Sequence, residues 1–200
     1  MKPLVFSIIF LFMVVTAAFP LTVNEHAPLF YLRDNNGEGF YLSNYIGNTK
    51  KEPVKGIILN FFSSACKPCK NELPVLNSLT DELNQKGIKV IIIGYKEDFD
   101  VITDFLTKLK VDKPIILSDV YGKVGGKYGV YYLPLTILIG SDGKVKDIIR
   151  GELPDMEKVL KEKVRSCYGN TPPFPSNHPL YPHIYYSIIF CRNTGKEENR

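Results

Sequence analysis

The tetrapeptide Cys66-Lys67-Pro68-Cys69 follows the apolar run from Gly56 to Phe62 and opens a helix-patterned stretch, so two thiols sit at a strand-to-helix turn. A helix start presents unpaired backbone N–H groups and about half a positive charge, and both favour the thiolate of a first cysteine over its thiol. Cys66 is therefore the candidate nucleophile. Cys69, one turn further on, lies on the same side and within reach to close or resolve a disulfide. Zinc needs two further ligands, and Cys167 and Cys191 stand far along the chain without a Cys-x-x-Cys spacing of their own. A purely structural bridge across so small a loop removes little unfolded-state entropy. The pattern reads as a redox-active pair that needs no metal and no cofactor beyond its own disulfide.

The 200 residues, 44% hydrophobic and 23% charged, suit one globular domain with appendages at its ends. The net charge of +4 is modest, and Lys158, Lys161 and Lys163 alternate with Glu157 and Glu162 as on a solvated face, which lends nucleic-acid binding no support. Residues 1–18 read as an export signal: Lys2 precedes the apolar run Leu4 to Val15, and Thr16-Ala17-Ala18 supply small residues before Phe19-Pro20. The rival reading is an uncleaved anchor, because Pro3 to Pro20 is almost long enough to cross a bilayer at about 1.5 Å per residue. Either reading puts the body of the chain outside the cytoplasm, in the periplasm or at the outer face of the cytoplasmic membrane. Only the second leaves a membrane contact, through this segment.

The organisation behind the tetrapeptide is that of an α/β protein. Leu29, Tyr31 and Arg33 alternate with Phe30 and Leu32, Asp34-Asn35-Asn36-Gly37 supplies turn chemistry, and Phe40-Tyr41-Leu42 resumes, which predicts an N-terminal hairpin with Ser43 capping a short turn. Ile57 to Phe62 is apolar on both faces, as a covered strand must be. Leu73, Leu76, Leu79 and Leu83 recur at helical spacing until Gly87, with Pro74 inside as a kink. Ile88 to Gly94 and Phe99 to Leu109 repeat the strand–helix unit, which argues for parallel strands. A strand at Ile115 to Leu117, a short helix within Tyr121 to Val130, a hairpin of Leu135 to Ile139 with Val145 to Ile149, and a helix from Pro154 to Arg165 complete the domain.

The order Ala27-Pro28, hairpin, apolar strand, Cys-x-x-Cys helix, strand, helix, Tyr128-Gly129-Val130, Leu133-Pro134-Leu135-Thr136 and Asp142-Gly143-Lys144 resembles the extracytoplasmic TlpA/ResA group of AhpC/TSA-like redoxins. The resemblance implies a thioredoxin-like fold over residues 27–165, with a central mixed β-sheet flanked by helices, an N-terminal hairpin extension and a C-terminal Pro/Tyr-rich appendage at 166–200. It implies a thiol–disulfide oxidoreductase in which Cys66 attacks a protein disulfide and Cys69 resolves it, served by a membrane or extracytoplasmic electron donor. Cytochrome c maturation is the task it suggests. Pro134 matches the group's cis-proline, which lies against the dithiol and leaves the backbone of Leu133 to pair with substrate; Lys67 and Pro68 complete the implied contact surface. Glu72 matches an acidic residue placed beneath the cysteines. Taken singly, Pro134 also suits a trans loop proline and Glu72 a solvated helix residue.

The chain departs from thioredoxin itself at Asn60, where that protein has a buried aspartate, and at Ala65, where it has a tryptophan. Asn60 takes no proton at neutral pH, which leaves Glu72 as the candidate for proton handling. Lys67 favours the Cys66 thiolate and an ionised Glu72 opposes it, so the two charges leave the thiol pKa undetermined. Two other functions compete. A peroxiredoxin-like peroxidase wants Pro-x-x-x-Thr-x-x-Cys, and here Ser63 stands for the threonine but Leu59 replaces the proline. A copper or other metal carrier holding the ion on two thiolates usually adds a histidine, and none lies between Cys66 and Arg165.

Pro172-Pro173-Phe174-Pro175 and Tyr181-Pro182 disfavour regular structure in the tail. Cys167 and Cys191 flank it. In an oxidising compartment they read as a structural disulfide worth about 3 kcal/mol, with a second redox pair or an intermolecular bridge as alternatives.

Overall fold

The computed structural model describes residues 21–48, 51–52 and 54–169. The export or anchor segment, Cys191 and most of the Pro/Tyr-rich tail therefore lie outside the described residues.

Seven strands form one sheet in the order β2-β1-β5-β4-β3-β6-β7. The N-terminal hairpin pairs β1 (Tyr31–Asp34) with β2 (Gly39–Tyr41), and β1 adds antiparallel to β5 (Ile115–Asp119) at the sheet's margin. β3 (Gly56–Phe62) and β4 (Ile88–Tyr95) run parallel, as do β4 and β5. β6 (Leu135–Gly140) lies antiparallel between β3 and β7 (Val145–Arg150). The mixed sheet expected from the resemblance is present, and the fold is thioredoxin-like.

β3 sits centrally and every one of its residues is buried. Ile57, Leu59 and Phe61 pack into one apolar layer with Phe30, Phe40 and Tyr128; Ile58 and Phe62 pack into the other with Leu73, Leu76 and Leu160. Period-2 alternation thus feeds two cores at once. The second layer is covered by α1 (Cys69–Gln85), α2 (Phe99–Leu109) and α4 (Met156–Tyr168), while α3 (Lys123–Lys127) packs on the first.

Local boundaries differ from the sequence reading in instructive ways. Leu42 leaves the strand and begins a 3-10 turn, Leu42–Asn44, so Ser43 lies inside the turn and caps nothing; Tyr41 precedes it without a side-chain cap. Leu42 keeps the inward phase of Phe40, two residues earlier, so the turn begins on a residue already packed in the core. α4 runs to Tyr168, three residues past the expected end, because Tyr168 is anchored: its hydroxyl, 3.2 Å from the carbonyl oxygens of Ile57 and Ile139, donates to them. The ring lies over Gly56, where a Cβ would meet it at 2.3 Å.

Candidate active site

The loop from Ser63 leaves the C-terminal end of β3, and α1 begins at Cys69 with Pro68 in helical conformation as its cap. Cys66 therefore stands just ahead of the helix and Cys69 in its first turn. The two are joined as a disulfide with Cα atoms 5.3 Å apart. Cys69 is fully buried, whereas Cys66 is half-buried and faces solvent. The backbone N–H of Cys69 donates to Cys66 Sγ at 3.2 Å. After reduction the same donor, with the helix dipole behind it, stabilises negative charge on Cys66.

Glu97, from the segment after β4, fixes the loop that carries this sulfur. Its carboxylate accepts the Ser64 N–H through both oxygens at 2.9 Å and the Ser64 hydroxyl at 2.5 Å. Ser118 on β5 in turn donates to the Glu97 carbonyl at 2.7 Å. Hydrogen bonds thereby tie the nucleophile's loop to the segment after β4 and, through it, to β5.

Glu72 lies three residues after Cys69 on the same helix face and is only 2% exposed. It points at the sheet, where Asn60 on β3 donates its Nδ2 to Oε1 at 2.8 Å and Thr136 on β6 donates its hydroxyl to the same oxygen at 2.6 Å. Asn60 Nδ2 also reaches Thr136 Oγ1 at 2.8 Å. Loss of solvent raises the carboxyl from 4.5 to about 7; the Thr136 hydroxyl opposes the rise and the charge of Glu152 adds to it. Among the described residues no Lys or Arg forms an ion pair with Glu72. A carboxyl poised near neutrality beside a dithiol can give or take a proton during turnover.

A groove of about 380 Å³ borders Cys66, lined by Ala65, Pro68, Tyr95, Val130 and the run Tyr131 to Leu133. The Leu133–Pro134 peptide bond is cis, and Pro134 is buried while Leu133 is half-buried. Pro68 and Leu133 thus line the groove, and Lys67 is exposed between the cysteines. The structure brings Cys66, Cys69, Glu72, Pro68, Leu133 and Pro134 to one end of the sheet. Cys167, at the end of α4, is not free, and its expected partner Cys191 lies outside the described residues.

Besides Glu97 and Ser64, two sets of residues escape the sequence reading. Thr136 was hidden because threonine is an ordinary strand residue; its signal is the register, which sets it directly opposite Asn60. Tyr131 and Tyr132 are 69% and 79% exposed at the groove, and only their adjacency to the cis-proline distinguishes them from scattered surface aromatics. Among the described residues no group of three or more His, Cys, Asp or Glu side chains is arranged to hold a metal ion.

Residues 23–148 match the AhpC/TSA family. The chain is 31% identical over 144 residues to a thiol-disulfide oxidoreductase ResA from Bacillus thuringiensis subsp. konkukian, covering 71% of this chain and 79% of that protein. It is also 31% identical over 135 residues to ResA of Bacillus subtilis, covering 68% and 71%. Among solved structures it resembles StoA from Bacillus subtilis, with a TM-score of 0.56 at 23% identity over 69% of this chain and 97% of that one. A thiol:disulfide interchange protein from a Bacteroides species superposes with a TM-score of 0.60 at 20% identity, over 76% and 93%.

Proposed function

Since this chain belongs to the AhpC/TSA family and is a thiol–disulfide oxidoreductase akin to the ResA proteins, we propose that it acts outside the cytoplasm as a reductant of protein disulfides. The observation that carries the assignment of roles is the asymmetry of the pair: Cys66 is half-exposed and receives the Cys69 N–H, while Cys69 is buried. The Cys66 thiolate attacks one sulfur of the substrate disulfide, forming a mixed disulfide and releasing the other substrate sulfur as thiolate. Cys69 then gives its proton to Glu72 and attacks Cys66 Sγ, which closes the Cys66–Cys69 bond and expels the second substrate thiolate. Two electrons have passed to the substrate, and an extracytoplasmic or membrane thiol donor restores the dithiol.

The substrate segment lies in the groove beside Leu133 and Pro134, with Lys67 and Pro68 at its rim. Cytochrome c maturation is the pathway that the likeness to ResA suggests, and the apolar segment ahead of Phe19 supports export or anchoring. The deciding experiment is a Cys69→Ser variant in cells, which stalls at the mixed disulfide and holds the partner for mass spectrometry. Accumulation of partners on Cys66→Ser instead reverses the roles. Reduced protein that consumes hydroperoxide faster than any protein disulfide overturns the reductase reading in favour of a peroxidase.

A further inference from the structure

Asn60 and Thr136 converge on a single oxygen of Glu72 from two different strands. Asn60 interrupts an otherwise apolar stripe, Ile58-Asn60-Phe62, on the α1 side of β3, and Thr136 lies opposite it on β6. Both are 1% exposed. Their placement has a cost: Asn60 Oδ1 is buried without any hydrogen-bond partner among the described residues. Rotating the amide turns Oδ1 toward Glu72, and two oxygens facing each other suit only a protonated carboxyl. The observed orientation gives up one acceptor in order to aim N–H at the Glu72 carboxyl, a donation that strengthens when the carboxyl ionises.

We propose that Asn60 and Thr136 are positioning residues of the redox centre, whose convergent donors hold Glu72 in the orientation and charge state from which it accepts the proton of Cys69. The proposal rests on the proton role given to Glu72 above. Burial alone drives a carboxyl to stay protonated, and a protonated Glu72 has no room for the proton that Cys69 must lose. Two donors on one oxygen oppose that drive. The other groups that bear on the carboxyl's charge are Glu152, tied to Asn71 on α1 at 2.8 Å, and the two cysteines of its own helix once reduced. Glu152 pushes in the same direction as burial, so the donors on β3 and β6 carry the opposing effect.

The test is a side-chain carboxyl NMR titration of Glu72 in the oxidised protein, where no thiol of the pair titrates, together with the pH profile of disulfide turnover. Thr136→Val keeps the shape and removes the hydroxyl; its Glu72 midpoint is expected about one pH unit higher, with the turnover profile displaced alike. Thr136→Ser restores the donor and should superimpose on wild type. Thr136→Ala replaces the valine variant should that fold poorly. In a Glu72→Gln background the valine substitution should leave the profile unmoved. A Glu72 midpoint unchanged by loss of the hydroxyl, or displaced equally by serine, overturns the proposal. A midpoint that moves while turnover keeps its pH profile overturns instead the proton route through Glu72.

Discussion

Asp147 and Glu72 are both buried carboxylates packed between the sheet and its helices, and their surroundings differ in kind. Asp147 on β7 meets the ammonium of Lys163 on α4, each about as buried as the other. Glu72 meets an amide and a hydroxyl. A full opposite charge partners the first, which makes it part of the frame joining α4 to the sheet. Neutral donors leave the second close to balance between its two forms, which makes it usable in chemistry. The contrast separates a structural acid from a working one by partner rather than by burial.

Four measurements sharpen or break this contrast. The largest effect belongs to the frame: Lys163→Met removes one member of a buried ion pair and should cost about 3–5 kcal/mol of stability, while turnover per folded molecule stays near wild type. Chemical denaturation paired with an active-site titration reads both quantities. A large loss of turnover in the folded variant removes the distinction between the two carboxylates.

Glu72→Gln should act in the opposite sense. With its carboxyl raised from 4.5 to about 7, Glu72 binds its proton more tightly in the folded state than in the unfolded chain. That contribution to stability is complete below 4.5 and is lost as pH rises through about 7. Relative to wild type, the glutamine variant should therefore gain about 3 kcal/mol between pH 4 and pH 8 in the oxidised protein. Urea unfolding at the two pH values checks it, and a difference independent of pH would mean that Glu72 does not ionise in place. Slower disulfide resolution is expected alongside.

The groove offers a smaller effect of another type. Replacing Tyr131 and Tyr132 together with alanine should lower kcat/KM for a protein disulfide about tenfold and spare a small-molecule disulfide, because exposed aromatics serve contact rather than bond exchange. Equal losses on both substrates would place the tyrosines in the chemistry or the fold. The smallest change is expected at Glu152→Gln, which removes a like charge and should move the Glu72 titration downward, by less than loss of the Thr136 hydroxyl moves it upward.

What could be read from the chain depended on whether a feature is periodic or relational. β3, α1, β4 and α2 announce themselves because alternation and helical spacing are imposed by burial on one or two faces, and the Cys-x-x-Cys element needs only its position between them. Ser43 reads as a cap because a capping residue is also a common turn residue, and the structure places it second in the 3-10 turn Leu42–Asn44. Glu72 is legible through the resemblance, at its place three residues after Cys69; taken singly it suits a solvated helix residue. Its partners are not legible, since Asn60 and Thr136 are 76 residues apart in sequence and meet only through strand register. Glu97 was missed for the same reason: its bond to Ser64 spans 33 residues between two loops.

The anchorage of Tyr168 settles where Cys167 stands. The tyrosine hydroxyl grips the strand end at Ile57 and Ile139, so Cys167 beside it sits at the pole where β3 begins. The Cys66–Cys69 bond sits beyond the pole where β3 ends. Seven extended residues separate these poles by about 20 Å, with the apolar core between them. Sulfur-to-sulfur exchange is a contact reaction and does not jump such a gap. Cys167 therefore stands out of direct exchange reach of the Cys66–Cys69 pair.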